Sequence, residues 1–154
     1  MANLLAHALF ALALFSVLHS LLGGAPLSEF GFYAALISLG PDLEGPRGRT
    51  RTPQSHSVAF GLLWSLLLLA FCSLAGWMGL LSHAVLPLFL SACLIGVASH
   101  WFLDAFGEPG IFTRPQAEGA WGRLVLLADL RAPNLNLLVS GASIGTILTL
   151  LVLY

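Results

Sequence analysis

The sequence predicts an all-α, polytopic membrane helix bundle with five transmembrane helices, or four if one short segment does not cross. Three observations carry that expectation. Hydrophobic residues fill 58% of the 154 positions and charged residues only 8%, where soluble domains carry about a quarter. Mean hydropathy is +0.92. Four runs also stay free of charge over the ~20 residues that a bilayer core requires. The length suits one domain, residues 1–154.

The first run, Leu4–Leu22, contains no charged residue. It lacks the basic start of a signal peptide and is longer than the usual apolar stretch of one, so it reads as a retained helix. "GGAPLSE" at 23–29 breaks it with glycines and a proline. "LSEFGFYAALISLGP" at 27–41 is apolar but short: a brief crossing, a tilted one or a re-entrant segment. Residues 41–56, "PDLEGPRGRTRTPQSH", form a polar loop. Ser57–Ser82 and Ala84–Leu103 are charge-free helices, with Pro87 tolerated in the first turn of the second. Residues 104–133 hold over half of all the charges and form a second polar loop. Asn134–Tyr154 is the last span, closed by an interfacial aromatic, with Asn134 and Asn136 as candidate caps.

Arginine sets the expected orientation, because the chain has no lysine. Arg47, Arg49 and Arg51 fall in the first polar loop and Arg114, Arg123 and Arg131 in the second. The hairpin near Leu81–His83 has none, so both loops are expected on the cytoplasmic side of a cell membrane. A formal net charge of −1 and no basic tail exclude nucleic-acid binding driven by bulk charge. Cys72 and Cys93 sit inside apolar runs without metal or redox spacing and read as buried free thiols. Trp64, Trp77 and Trp101 suit aromatic belts and helix packing. Gly141 and Gly145 stand at GxxxG spacing, for packing within the chain or for a homodimer. His19 and His83 fall near the face opposite the polar loops, as packing or interface residues.

The chemistry concentrates around "SHWFLDAFGEPG", residues 99–110. His100 and Asp104 are four apart and share one helix face. A carboxylate near hydrocarbon is costly, about 2.5–3.5 kcal/mol at mid-bilayer and less toward the end, so it is normally paired, solvated or coordinated. The bland reading is a helix-end Asp104 that faces water with His100 as its partner. The other loop adds Asp42 in "GPDLE" and His56 in "QSHS" at the same expected boundary. If residues 27–40 return the chain, His7 reaches that depth too. The set His7, Asp42, His56, His100 and Asp104 offers three imidazoles and two carboxylates, enough for one divalent metal or a bridged pair. Zinc is the first choice, with manganese or iron as alternatives.

"AHALFAL", "LGPDLE", "RTPQSHS" and "SHWFLDAFGEPGIF" occur here in an order that resembles the LexA-binding, inner-membrane-associated hydrolases, also known as membrane-bound metal-dependent hydrolases. An uncharacterised archaeal branch of that group looks closer still. The resemblance covers most of residues 7–137 and implies that His7, Asp42, His56, His100 and Asp104 are the metal ligands. Two positions depart from the pattern: Glu44 stands where a second Asp is usual, and Thr50 where an additional His is usual. The order is similar, at greater distance, to zinc phospholipase C and the single-strand nucleases of its all-helical fold.

These readings imply a membrane-embedded hydrolase that acts on a lipid-like phosphoester at the cytoplasmic interface. Its metal would acidify a bound water, and Glu108 or Glu44 would take the proton. Arg51, with Arg47 and Arg49, would pair with a phosphate, although a juxtamembrane arginine cluster also fixes topology and touches anionic lipid headgroups. The alternative is a non-catalytic packing or regulatory module that binds a protein partner through the arginine-bearing loops. A transporter fits less well, because intramembrane charges are few and no inverted repeat is visible.

Overall fold

The computed structural model describes residues 4–43, 56–106, 111–115, 121–124 and 132–154. In chain order these form α1 (Leu4–Leu21), α2 (Glu29–Ser38), the single turn α3 (Gly40–Leu43), α4 (Val58–Trp77), α5 (Leu86–Phe106), β1 (Ile111–Pro115), β2 (Trp121–Leu124) and α6 (Ala132–Leu153). Helices α1, α4, α5 and α6 are long and apolar enough to cross a membrane. The protein is a helical membrane bundle.

Four helices are of spanning length, the lower of the two expected counts, and the short segment at 27–41 forms α2. At 1.5 Å per residue, the ten residues of α2 extend about 15 Å, half of the ~30 Å hydrocarbon core. Pro26 on one side and Gly40–Pro41 on the other limit its length. It still returns the chain. Gly31 lies against Leu12 and Phe15 of α1, and Ser38, at the end of α2, touches His100 of α5. Tyr154 then donates to the carbonyl of Ser20 at 3.2 Å, so α6 runs parallel to α1.

Two helices stop by the same device. Gly23 and Gly79 take φ of 82° and 72°, the left-handed region that suits glycine. Gly24 N–H reaches the His19 carbonyl at 2.9 Å and Gly23 N–H that of Ser20 at 2.9 Å. After α4, Leu80 N–H reaches Ala75 at 2.9 Å and Gly79 N–H reaches Gly76 at 3.1 Å. Both are Schellman endings, which satisfy carbonyls that the helix leaves open. At its other end, α4 is capped by the Ser57 hydroxyl, which accepts from Phe60 N–H at 3.1 Å. Ser57→Ala is expected to lower stability by about 1 kcal/mol. Thermal unfolding in detergent measures it, and an unchanged midpoint would contradict the cap.

The end of α4, at Trp77 rather than Ser82, and the second polar loop with its edges differ from the sequence reading. Helix α5 continues to Phe106, so Asp104 lies within it rather than in a loop. Helix α6 starts at Ala132, which places Asn134 and Asn136 inside its first turns instead of at its cap, with Pro133 tolerated there. The second polar loop also contains an antiparallel hairpin, with Ile111 opposite Leu124 and Phe112 opposite Arg123. Strands this short give too little alternation to stand out in a sequence.

Helix α5 is central and packs against α1, α2 and α4, while α6 packs on α1. Ala6, Leu103, Leu135 and Val139 form one buried cluster, flanked by Phe10 and Phe106. Phe15, Phe30, Ala34 and Ala92 form another. Close approach depends on Gly96, where a Cβ would stand 2.6 Å from the Ala34 carbonyl oxygen. Cys72 and Cys93 are buried free thiols, as expected. Among the described residues, nothing lies close against Gly141 or Gly145.

Candidate metal centre

Helix directions assemble the site. His7 lies near the start of α1, and antiparallel α5 brings His100 and Asp104 to it near its own end. His56 stands just before α4, which starts at this same level. Nε2 of His7 is 3.3 Å from Asp104 Oδ1. Nε2 of His100 is 3.2 Å from Oδ2 of the same carboxylate, and Nε2 of His56 is 3.7 Å from it. The His7 and His100 rings stack with centroids 4.1 Å apart, and His56 is tilted against His100 at 5.4 Å. His7 and His100 are 0% exposed, Asp104 1% and His56 2%. Asp104 therefore does not face water, and the bland reading fails.

The end of α2 orients the key imidazole. The last carbonyls of a helix lack intrahelical partners, and that of Ser38 lies 2.7 Å from His100 Nδ1. A carbonyl can only accept, so Nδ1 carries the hydrogen and donates it. In a neutral ring Nε2 then presents a lone pair toward Asp104 Oδ2, and it has no hydrogen-bond partner among the described residues. Two lone pairs at 3.2 Å repel unless a cation lies between them. One proton can bridge one such contact, whereas a metal ion would be held by several of these groups at once.

The donor set fits an ion. Ligand atoms of His7, His100 and Asp104 lie within 4.8 Å of one another. Two ligands held 2.0–2.2 Å from a tetrahedral ion stand roughly 3.3–3.6 Å apart, close to the separations found here. A backbone carbonyl behind the ligating imidazole is the usual support for such a site. These three buried groups can hold a metal ion, and His56 stands beside them.

No family model, curated protein or solved structure matches the chain. The chemistry is read from the groups themselves.

Of the five expected ligands, His7, His56, His100 and Asp104 come together. Asp42 belongs to α3, and its side chain lies outside the described residues, as do Glu44, Arg47, Arg49, Arg51 and Glu108. His19, twelve residues along α1 from His7, is about 18 Å away by helical rise, and its Nδ1 is 2.9 Å from the Ala25 carbonyl oxygen. His83 lies in the turn between α4 and α5. Ser38 was not among the expected site residues. Its only signal is that a helix stopping before Gly40–Pro41 leaves carbonyls open.

Proposed function

We propose that the protein is a membrane-embedded, metal-dependent hydrolase that cleaves a phosphoester or related bond of a lipid-like substrate, with the site on the cytoplasmic side of a cell membrane. The observation that supports it most is His100, whose Nε2 faces Asp104 while Nδ1 is committed to Ser38. The resemblance to LexA-binding, inner-membrane-associated hydrolases supports the same reading. His7, His56, His100 and Asp104 would hold the ion together with Asp42, and zinc suits this mix of imidazole and carboxylate, ahead of manganese or iron. A bound divalent ion supplies Lewis acidity and an acidified water near neutral pH. Ser38 fixes the ring of His100, Glu108 or Glu44 accepts a proton, and Arg51 pairs with phosphate.

Purified protein is expected to contain close to one divalent ion per chain by elemental analysis and to hydrolyse a phosphoester lipid. Glu108→Gln is expected to keep the metal and lower kcat by about 10²–10⁴-fold. Wild-type protein that binds no divalent metal would overturn the reading. Near-complete burial of the four groups favours a second one: closed sites are usually structural, and the ion would then fasten helix ends in a non-catalytic packing or regulatory module. Metal-loaded protein inert on phosphoester lipids would select it.

A further inference from the structure

The four groups of the centre are closed off, since none of the residues is more than 2% exposed. An ion held there can neither exchange nor meet a substrate unless one ligand-bearing element moves. Three helices bring the ligands together, and they are anchored unequally. Helix α1 packs against α2, α5 and α6, and α5 packs against α1, α2 and α4. Helix α4 packs substantially on α5 alone among the helices, with β1 as its other neighbour.

The contact between α4 and α5 is thin. Gly61, Cys72 and Ala75 are the only buried residues among the twenty of α4, against nine of the twenty-one in α5. Trp101 lies on Gly61 toward the site end, and Leu86 lies on Gly76 at the far end. Between Val58, Leu62 and Ser65 on one helix and Leu94 and Ala98 on the other runs an apolar groove of about 350 Å³. Lipid tails are as apolar as these side chains, so helix association rests on packing. A sparsely packed interface gives α4 the lowest local stability of the three helices.

His56 belongs with α4. It adjoins Ser57, whose hydroxyl and carbonyl accept from the N–H groups of Phe60 and Gly61 at 3.1 and 3.0 Å. It is also the outlying member of the cluster, 3.7 Å from Asp104 against 3.2 Å for His100 and 3.3 Å for His7. At the opposite end, the short connection of residues 78–85 ties α4 to α5.

We infer that α4 is the gate of the metal centre, swinging from α5 about its far end and carrying His56 away from Asp104. His7, His100 and Asp104, on the better-anchored α1 and α5, keep the ion while the position left by His56 opens to substrate. The inference deepens the hydrolase reading, on which it rests for what enters.

The test links α4 to α5 across their groove. Ser65→Cys with Ala98→Cys is made in the full chain carrying Cys72→Ala and Cys93→Ala, and is bridged by a short bis-methanethiosulfonate reagent. Leu62→Cys with Ala98→Cys serves if the first pair fails to fold. Val17→Cys with Ala142→Cys, across the groove between α1 and α6, is the control link. Loss of zinc to EDTA is expected to slow about tenfold or more once α4 is linked to α5, because the minor open state is removed. Reduction of the link should restore the rate, and the control link should leave it unchanged. An α4–α5 link without effect, or a control link that slows release as much, would overturn the gate. Carbethoxylation of His56 and His100 by diethyl pyrocarbonate, mapped by peptide in zinc-free protein, reads the opening without an ion. Modification slowed by the link in a protein that binds no zinc would sustain the gate and sink hydrolysis. Zinc bound and released at one rate with or without the link would sustain the metal and sink the gate.

Discussion

Asp104→Asn is expected to remove the metal while leaving the fold intact. Asp104 meets His7 through Oδ1 and His56 and His100 through Oδ2, so one side chain faces all three imidazoles. Asparagine keeps the shape and removes the charge. Its NH₂ group also supplies a donor that an imidazole lone pair can accept, which relieves the repulsion without an ion. Metal affinity should fall by more than the ~100-fold that loss of a supporting contact alone can cause. Metal binding is linked to folding, so a chelator should lower the melting temperature of wild type and leave that of the variant unchanged. Elemental analysis with thermal unfolding, with and without chelator, makes both measurements. A variant that retains stoichiometric metal would remove Asp104 from the coordination set.

Gly96→Ala should be the most disruptive single methyl group. The new Cβ would stand 2.6 Å from the Ala34 carbonyl oxygen and 3.0 Å from Ile37. A backbone atom cannot rotate out of the way, so α2 must move off α5. Overpacking of this kind costs about 3 kcal/mol. The displacement also reaches the centre, because the Ser38 carbonyl that holds His100 is four residues beyond Ala34 on the same helix. Metal affinity should therefore drop a further 10–100-fold. Gly141→Ala, where nothing described lies within 4 Å, should change stability by no more than about 0.5 kcal/mol. Equal melting temperatures for the two variants would contradict the packing of α2 on α5.

How far the sequence spoke depended on the range of the physics involved. Charge-free runs located α1, α4, α5 and α6 to within about five residues at each end, because the bilayer demands length and apolarity and little else. His100 and Asp104 were legible as a pair from local spacing. His56 was expected at their level in either topology, whereas their meeting with His7 depended on whether residues 27–40 turn the chain back, which length could not decide. The answer lay in small residues, Gly31 and Gly96, whose value as contact points appears only with the neighbour in place. Ser38 was hidden because it acts through its backbone, which every residue shares. The hairpin at Ile111–Pro115 and Trp121–Leu124 was hidden by its brevity.

The short α2 also has a consequence for the surrounding lipid. Its outer face carries exposed Phe32, Tyr33 and Leu36, and its first residue, Glu29, is an exposed carboxylate immediately before Phe30, which packs with Phe15 in the middle of α1. A bilayer of ordinary thickness would bring that carboxylate into hydrocarbon. Local thinning relieves such mismatch at a fraction of a kcal/mol per ångström, far less than keeping the charge in oil. Beside α2 the leaflet farther from the centre is therefore expected to be drawn inward.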